Sequence, residues 1–305
     1  MTHIRIATRR SPLALWQAEY VAAELKKLDS EITTELIKIK TSGDIFTDVP
    51  LARIGGKGLF TKEIDLALLN GDADIAVHSM KDVPVELPAG TSIRAFPKRE
   101  DPRDAVATVT GGGLDTMPEG ARIGTSALRR ITQLKHHYPH FEYVPIRGTI
   151  QKRLSKLGDS VDAVILAAAG VRRMGMEQQM HDFVDTATLL PAVAQGTLGI
   201  QTCDRDDELN TLVDRLNDHE TMVRTVAERT FLARLEGGCQ VPIAAFATVN
   251  GDELHLDGLV GELDGSRIIR KEIRSPISEA ESLGRQLADQ LLADGAGEIL
   301  TRLYQ

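Results

Sequence analysis

The stretch Ile4-Arg5-Ile6-Ala7-Thr8-Arg9-Arg10-Ser11-Pro12-Leu13 decides the fold of this chain. Its first half has the β-branched and apolar residues of a strand over residues 4–8. Ser11 and Pro12 then predict a helix start, because serine is a favoured N-cap and proline is favoured at the first helical position. A strand that passes directly into a helix is typical of βαβ units, so the sequence predicts a largely parallel sheet.

The same alternation continues along the chain and divides it into three parts. We predict strands at residues 4–8, 35–41, 74–78 and 92–96, then at 122–124, 142–146 and 162–166, and finally at 241–249, 253–259 and 267–274. We predict helices from Ser11, over 59–69, over 220–236 and over 279–303, and we interpret the Gly- and Pro-containing stretch 189–200 as a crossing between domains. The predicted fold class is α/β, with two doubly wound domains and a small α+β C-terminal domain. The predicted domains are 1–98 with 195–217, 102–190, and 219–305.

Length and composition exclude several classes of protein. The 305 residues, 42% hydrophobic and 26% charged, are ordinary for a globular protein with more than one core. No run approaches the roughly 20 apolar residues of a membrane helix, and the first residues do not resemble a secretion signal, so we expect a cytoplasmic protein. Two cysteines outside any Cys/His cluster indicate free thiols, with neither a disulfide framework nor a metal site.

Charge is distributed unevenly along the chain. The net charge of −8 argues against a general nucleic-acid binder, yet residues 122–173 contain ten Lys and Arg against three acidic residues, a local charge of +7. An arginine-rich surface in an acidic protein suits a small polyanionic ligand better than a DNA backbone. A solvated charged surface is the alternative that composition leaves open.

The positions of the arginines favour the first of these interpretations. In open parallel sheets, ligands bind beyond the carboxyl ends of strands, where helix N-termini offer free N–H groups. Four predicted junctions of this kind carry arginine, namely Arg9-Arg10, Arg129-Arg130 after Thr125-Ser126, Arg147 followed by Arg153, and Arg172-Arg173. Arginine binds carboxylates through two parallel hydrogen bonds, so we predict a cleft that binds carboxylate or phosphate groups.

Two further segments contain candidate ligand-binding residues. Gly55-Gly56-Lys57-Gly58 precedes a helix but lacks the Ser or Thr that follows lysine in a Walker loop, so direct contact by Lys57 or a mobile lid over residues 41–58 is favoured over a nucleotide site. Residues 74–84 place Ser79, Lys81 and Asp82 directly after an apolar strand. Asp82 is a candidate functional carboxylate, and a surface ion pair with Lys81 is the alternative. His78 is interpreted as a core histidine.

Cys239 lies in the stretch Leu235-Glu236-Gly237-Gly238-Cys239-Gln240-Val241-Pro242, on a two-glycine turn between a predicted helix and a strand. The backbone could approach a ligand closely there, which makes covalent chemistry at Cys239 one interpretation. A small buried thiol is the other. Cys203 has no comparable setting, and we interpret it as structural.

Six motifs together make the chain resemble the hydroxymethylbilane synthase (porphobilinogen deaminase) family over essentially its whole length. They are R-I-A-T-R-x-S-P-L-A-L-W-Q-A from Arg5, G-G-K-G-L-F from Gly55, D-I-A-V-H-S-M-K-D-V-P from Asp74, G-T-S-x-L-R-R from Gly124, I-R-G-T from Ile146, and L-E-G-G-C-Q-V-P from Leu235. The resemblance implies two domains related to periplasmic binding proteins and a third that carries the cofactor cysteine.

The resemblance also implies the chemistry. Cys239 is expected to hold dipyrromethane through a thioether, and four porphobilinogens are expected to add to it with loss of ammonia before hydrolysis releases hydroxymethylbilane. The aspartate of the family matches Asp82, which is expected to stabilise pyrrole nitrogens and the azafulvene cation as the catalytic residue. The resemblance requires no metal and no nucleotide, and it implies a monomer without nucleic-acid or membrane partners.

Matching motifs residue by residue extends the predicted site. The residues expected to bind the carboxylates of cofactor and substrate are Arg9, Ser11, Lys57, Lys81, Arg129, Arg130, Arg147, Arg153 and Arg173, with Ser79, Thr125 and Ser126 as hydroxyl donors and Gln17 and Gln195 as further polar contacts. Arg53 and Ser42 depart from the bacterial pattern, in which lysine and arginine are frequent at these positions. Both lie in the predicted lid, so they bear on its contacts and leave the predicted activity unchanged.

Three rival functions remain to be weighed. A non-catalytic binding protein of the same two-lobed class would also surround an anion with arginines, but it gives no reason for Cys239. A LysR-like regulator would need a helix-turn-helix ahead of the first strand. A cysteine hydrolase would need a histidine placed to activate Cys239, and the sequence offers no such pairing. Intact mass separates the enzyme from all three, since only the enzyme carries two covalently bound pyrrole units.

Overall fold

The computed structural model describes residues 3–45, 58–236 and 241–303. They form two compact units, one comprising Met1–Glu100 with Gly196–Met222 and the other Asp101–Gln195 with Val223–Gln305. The strands are β1 (His3–Arg9), β2 (Thr33–Ile39), β3 (Ile75–Ser79), β4 (Thr91–Ala95), β5 (Asp104–Thr108), β6 (Arg122–Gly124), β7 (Glu142–Val144), β8 (Ala163–Ala167), β9 (Asp182–Val184), β10 (Leu198–Cys203), β11 (Ile243–Asn250), β12 (Glu253–Gly261) and β13 (Ile268–Pro276). The helices are α1 (Pro12–Leu28), α2 (Ser42–Ile45), α3 (Lys62–Asn70), α4 (Leu128–His137), α5 (Ile150–Leu154), α6 (Ala168–Arg173), α7 (Asp207–Asp214), α8 (His219–Arg234), α9 (Ala280–Ala293) and α10 (Ala296–Leu303).

The first unit is built on a five-stranded sheet in the order β2-β1-β3-β10-β4. Strands β1, β2 and β3 run parallel, and β10 pairs antiparallel with both β3 and β4. One face of the sheet packs Ile6 and Ile75 against α1, and the other packs Ala7 and Ala76 against α3. Because both faces are covered, the central strand β3 is apolar almost throughout, and only its end is left to carry polar groups.

Helix α1 begins as the sequence predicts. Ser11 has extended backbone angles, its Oγ accepts a hydrogen bond from the Ala14 N–H at 3.3 Å, and proline occupies the first turn. The cap places the start of α1 directly after the carboxyl end of β1. The predicted strand-to-helix junction is therefore confirmed.

The second unit contains a sheet of the same design in the order β7-β6-β8-β5-β9. Strand β6 pairs parallel with β7 and β8, and β5 pairs antiparallel with β8 and β9. Its faces are packed by two groups of buried side chains, one around Ile123 and Ile165 and the other around Val164 and Leu166. Alternate residues of β8 thus face opposite cores, as expected for a covered sheet.

The same unit also contains the antiparallel sheet β11-β12-β13. Helices α8 and α9 cover it closely at Gly258, where an added Cβ would lie 2.8 Å from Phe231 and from Leu287. This sheet and its helices make the α+β part of the predicted fold, and the α/β sheets make the rest, so the predicted fold class is confirmed. Among the described residues, no helix combines the length and the apolar composition needed to cross a membrane.

Two details differ from the sequence predictions. The sheets are mixed, where largely parallel ones were predicted, because β10 and β5 run against their neighbours. The predicted crossing within residues 189–200 is confirmed, since the chain passes from one unit to the other between Gln195 and Gly196. The predicted helix over 279–303 is two helices, because the chain turns at Gly295, which has a φ of +100°. The division into domains 1–98 with 195–217, 102–190 and 219–305 stays a prediction.

Candidate functional site

A cavity of the first unit brings together five of the predicted site residues. It is bordered by Arg9, Ser11, Gln17, Ser79 and Asp82. These residues come from the end of β1, the start of α1, and the end of β3 with the turn after it. The parallel strands β1 and β3 end at the same edge of the sheet, which is why residues about 70 positions apart in the sequence meet there.

Arg9 is held in place on two sides. Its guanidinium forms an ion pair with Asp44 of α2, and it lies over the Phe60 ring with 4.3 Å between Cζ and the ring centroid. Burial disfavours the charge of Asp44, but the charge and hydrogen bond of Arg9 and the hydrogen bonds from Thr41 outweigh it and lower the pKa of that carboxyl. Nε and Nη2 of Arg9 point to Asp44, and Nη1 makes no hydrogen bond to a described residue. The arginine is thus oriented with donors left for a ligand.

Gln17 and Ser79 form a hydrogen-bonded pair on the cavity wall. The Gln17 side-chain amide donates to Ser79 Oγ at 2.9 Å, and its carbonyl oxygen lies 3.3 Å from the same hydroxyl. Gln17 is buried, so this contact fixes the direction of the Ser79 hydroxyl. The pair offers a polar surface next to Arg9 without adding a charge.

Asp82 ends a short 3₁₀ turn, Met80–Asp82, that follows β3 directly. The turn is anchored by the Met80 N–H, which donates to the Thr197 carbonyl at 3.0 Å. The Met80 side chain packs directly on Gly199, where an added Cβ would clash with Met80 Sδ. Asp82 and Lys81 are half-buried, so the carboxylate borders the cavity while the turn beneath it is fixed.

His78 borders the same cavity, although the sequence indicated only a core histidine. The residue is 5% exposed, and Nε2 of its ring lies 2.8 Å from Gln201 Oε1. Burial lowers the pKa of His78 to about 4, against the opposing effects of the Gln201 hydrogen bond and the Asp82 charge. The imidazole is therefore neutral at physiological pH. It is buried as predicted, and it also belongs to the wall next to Asp82.

In the second unit, Thr125 and Ser126 stand at the carboxyl end of β6. The buried Thr125 accepts a hydrogen bond from the Ala127 N–H at Oγ1, and the exposed Ser126 donates from Oγ to the Ile146 carbonyl at 2.8 Å. These contacts shape the turn into α4. Ser126 is the more accessible of the two hydroxyls.

Arg129 and Arg130, in the first turn of α4, are buried around Asp104 at the start of β5. Arg129 donates from Nη1 to Asp104 Oδ2 at 2.7 Å and to the Leu190 carbonyl at 3.1 Å, and from Nη2 to Asp104 Oδ1 and to Gln195, each at 3.0 Å. Arg130 donates from Nη2 to Asp104 Oδ1 at 2.7 Å. Burial would raise the pKa of Asp104, but the two arginines hold it far below its ordinary value. Burial lowers the pKa of Arg129, against the attraction of Asp104.

Gln195 completes this buried cluster. Its amide nitrogen lies 2.7 Å from the Pro102 carbonyl and 2.9 Å from Asp104 Oδ1, while its oxygen accepts from Arg129. The sequence predicted direct contact of Arg129, Arg130 and Gln195 with ligand carboxylates. That contact stays a prediction, and the structure places the three residues, each at most 5% exposed, around Asp104.

Three other predicted arginines are more accessible. Arg147 follows β7, Arg153 lies in α5, and Arg173 ends α6, and all three are half-buried. Arg153 also donates from Nε to the Gly148 carbonyl at 2.9 Å, which fixes its stem against the turn that precedes α5. They remain the candidate carboxylate-binding residues of this unit.

Four predicted features lie wholly or partly outside the described residues. They are Lys57, Arg53, most of the predicted lid over residues 41–58, and Cys239. Cys203 is described, and it is a buried free thiol whose Sγ lies 3.3 Å from the Leu68 carbonyl. Sequence reasoning missed Asp44, Phe60 and Asp104, which act on predicted residues. The only sequence signal for Asp104 is an acidic residue that opens an apolar run.

Comparisons with known proteins extend these observations. Residues 4–211 match the model of the porphobilinogen deaminase dipyrromethane cofactor binding domain, and residues 222–293 match that of the porphobilinogen deaminase C-terminal domain. Among solved structures, the methionine binding protein MetQ is similar at 12% identity, over 70% of this chain and 89% of its own, with a TM-score of 0.45. The aliphatic sulphonate binding protein SsuA from Escherichia coli is similar at 12% identity, over 77% and 71%, with a TM-score of 0.41.

Proposed function

The chain belongs to the porphobilinogen deaminase family, and on that premise we propose how its own residues perform hydroxymethylbilane synthesis. Family membership makes it a transferase of tetrapyrrole biosynthesis that acts on porphobilinogen and has a dipyrromethane-binding domain. The individual roles of Asp82, Cys239 and the arginines are the proposal. The observation that supports it is the cavity in which Arg9, Ser79 and Asp82 meet.

The residues of this cavity fit a dipyrromethane group and its substrate chemically. Pyrroles of this kind carry acetate and propionate arms, which require cations and hydroxyl donors, and ring N–H groups, which require an acceptor. Arg9 and the hydroxyls of Ser11 and Ser79 supply the donors, and the Asp82 carboxylate supplies the acceptor. When bound, dipyrromethane supplies the pyrrole carbon to which the first substrate unit is joined, and Cys239 is proposed to hold it as a thioether.

Asp82 is proposed as the catalytic residue. Porphobilinogen becomes a cation when it loses ammonia, and a fixed carboxylate stabilises charge that develops next to it. The anchored turn Met80–Asp82 keeps this carboxylate at the end of β3 without reorganisation during the reaction. Arg9, oriented by Asp44 and Phe60, is proposed to bind a carboxylate arm through its Nη1 side.

Arg147, Arg153 and Arg173 are proposed to bind further carboxylates, with Ser126 as a hydroxyl donor and Lys81 and Lys57 as additional cations. Arg129, Arg130 and Gln195 are proposed to support the arginines of the second unit from the buried cluster at Asp104 instead of contacting the ligand, and the buried Thr125 is proposed to shape the turn into α4. Half-burial of the first three arginines and near-complete burial of Arg129 and Arg130 support this division.

We also propose that the protein acts as a monomer in the cytoplasm. Only Leu66, Leu69 and Val109 are large hydrophobic residues with substantial exposure among the described residues, which argues against a large apolar interface. The buried free thiol of Cys203 fits a reducing compartment. Sedimentation equilibrium of the purified protein tests the monomer, and a concentration-dependent dimer mass would contradict it.

Intact mass after incubation with porphobilinogen tests the proposed attachment. Once the porphobilinogen has been consumed, the wild-type chain should carry two covalently bound pyrrole units under denaturing conditions. Cys239→Ala should carry none and should not release hydroxymethylbilane, because alanine offers no sulfur for the thioether. Cys203→Ala is the matched control and should keep the added mass. A pyrrole adduct on Cys239→Ala would place the attachment elsewhere, and a bare wild-type chain that releases no product would favour a binding protein.

A further inference from the structure

Four buried polar side chains form a continuous hydrogen-bonded chain behind the cavity of the first unit. His78 of β3 contacts Gln201 of β10, and Gln201 contacts Asp65 of α3 and Thr91 of β4. Gln201 is fully buried, and the other three are at most 8% exposed. A polar group in such a place costs stability unless it is hydrogen-bonded, so the arrangement of donors and acceptors along the chain is strongly constrained.

The hydrogen bonds of Gln201 fix its orientation. Its amide nitrogen lies 2.9 Å from Asp65 Oδ1 and 3.0 Å from Thr91 Oγ1, and Thr91 in turn donates to the Pro88 carbonyl at 2.8 Å. Both amide hydrogens are therefore used on this side. The opposite orientation would turn the amide oxygen towards the Asp65 carboxylate and towards Thr91 Oγ1, whose hydrogen is already donated to Pro88, so the oxygen would face two acceptors. Gln201 Oε1 must face His78.

This orientation selects one tautomer of His78. An amide oxygen only accepts hydrogen bonds, so the ring nitrogen 2.8 Å from it, Nε2, must carry the proton. Nδ1 is then the unprotonated nitrogen of a neutral ring. Three residues that are far apart in sequence, on α3, β10 and β4, thereby set the state of a side chain on the cavity wall.

Two charged residues act on His78 directly, namely Asp82 in the turn after β3 and Arg9 at the end of β1. A third, Asp65, contacts Gln201, which lies between it and His78. The Asp82 charge and the Gln201 hydrogen bond raise the pKa of His78, Arg9 lowers it, and burial, the largest effect, lowers it further. Burial also raises the pKa of Asp65, against the hydrogen bond from Gln201. The His78 ring on the cavity wall is thus uncharged at physiological pH.

We propose that His78 is a positioning residue for Asp82: held as the neutral Nε2–H tautomer by the chain Gln201–Asp65–Thr91, it leaves the Asp82 carboxylate uncompensated and available to cationic substrate. An imidazolium at this place would pair with Asp82 and compete with the charge that develops on porphobilinogen. The inference rests on the proposed catalytic role of Asp82. It adds that Gln201, which does not border the cavity, controls the charge available there.

Nitrogen-15 NMR of the histidine-labelled protein tests the proposed tautomer and neutral state of His78 without an activity measurement. The expected result is a His78 ring with the proton on Nε2 and no titration between pH 5.5 and 8. A proton on Nδ1, or titration of His78 in that interval, would overturn the proposal. Because this measurement uses the wild-type chain, it holds even if a variant fails to fold.

Gln201→Glu tests the proposed effect of the His78 charge on Asp82. It places a carboxylate against Nε2, so His78 should become protonated at a higher pH, and kcat should fall on the acid side in step with that protonation. At pH 8 kcat should stay within about twofold of wild type, and by pH 6 it should have fallen about tenfold relative to wild type, as expected when a charge that stabilises the transition state is neutralised. Unchanged kcat at a pH where His78 of the variant is shown to be protonated would refute the link to Asp82.

His78→Gln provides the matched control, because its amide keeps an N–H donor for residue 201 but does not titrate. In the Gln201→Glu background it should abolish the additional pH dependence. A carbon-13 titration of the Asp82 carboxyl distinguishes failure of this inference from failure of the proposed function. Even if the protein does not convert porphobilinogen, the carbon-13 resonance of the Asp82 carboxyl in Gln201→Glu should shift as His78 becomes protonated. The absence of that shift would by itself overturn the inference.

Discussion

Asp104→Asn should be among the most destabilising single changes in the second unit. Asp104 is fully buried, and its two oxygens accept hydrogen bonds from both Arg129 and Arg130. Asparagine keeps the size of the side chain but leaves two buried guanidinium groups without a counter-charge. Removing one partner of a buried ion pair costs about 3–5 kcal/mol, which lowers the midpoint of thermal unfolding by on the order of 10 °C.

Asp289→Asn is the matched control. Asp289 pairs with Arg234 at 2.7 Å, but both side chains are 53% exposed, and exposed pairs contribute at most about 1 kcal/mol. Urea unfolding followed by far-UV circular dichroism measures both variants. Hydrogen exchange should localise the loss of protection in Asp104→Asn to β5 and the first turn of α4. Equal midpoints for the two variants would refute the view that this cluster supports the fold.

The same comparison has a defined pH dependence. The pKa of Asp104 is lower in the folded chain than its ordinary value of about 3.9, so the folded state holds the carboxylate ionised where the unfolded state would bind a proton. The stability that Asp104 contributes is therefore complete above about pH 4 and decreases as the pH falls towards the folded pKa. The gap between wild type and Asp104→Asn should be constant from pH 5 to 7 and should narrow only in stronger acid.

Two further predictions concern turnover. Asp82→Asn should lower kcat by on the order of 100-fold at an unchanged unfolding midpoint, because it removes a fixed negative charge that stabilises the transition state. Asp82→Glu should retain more activity. If Asp82→Asn extended the pyrrole chain near the wild-type rate in a single-turnover assay, Asp82 would have no catalytic role. Arg147→Leu and Arg153→Leu should each raise KM for porphobilinogen by about tenfold or more, because each change removes a charged hydrogen bond to a substrate carboxylate. Steady-state kinetics measures KM, and an unchanged KM in both variants would mean that neither arginine binds the substrate.

Local sequence patterns predicted the parts of the fold that depend on neighbouring residues. The apolar run before Arg9 and the Ser11 cap are contiguous in the chain, and both are as predicted. Strand β10, which follows the crossing between the units, was not predicted, because its place is set by pairing with β3 and β4, more than 100 residues away. No local pattern contains that information.

In the candidate site, too, residues that are distant in sequence determine what local sequence patterns cannot predict. Arg129 and Arg130 have the same sequence context as Arg147 and Arg153, at the ends of strands in a basic segment, so sequence alone assigned all four to ligand carboxylates. What separates them is Asp104, which lies outside residues 122–173 and does not enter the local charge of +7.

Asp104 forms ion pairs with Arg129 and Arg130, two of the ten basic residues of this segment. The local charge of +7 therefore overstates the positive charge that is available to a ligand. In our proposal, substrate carboxylates bind to the half-buried residues Arg147, Arg153 and Arg173. Arg129 and Arg130 connect the start of β5 to α4 through their ion pairs with Asp104. Variants of the two groups should then differ in kind. Leucine at 147 or 153 should weaken binding in a folded protein, whereas leucine at 129 should first lower the free energy of unfolding, since it leaves Asp104 with Arg130 as its single cationic partner.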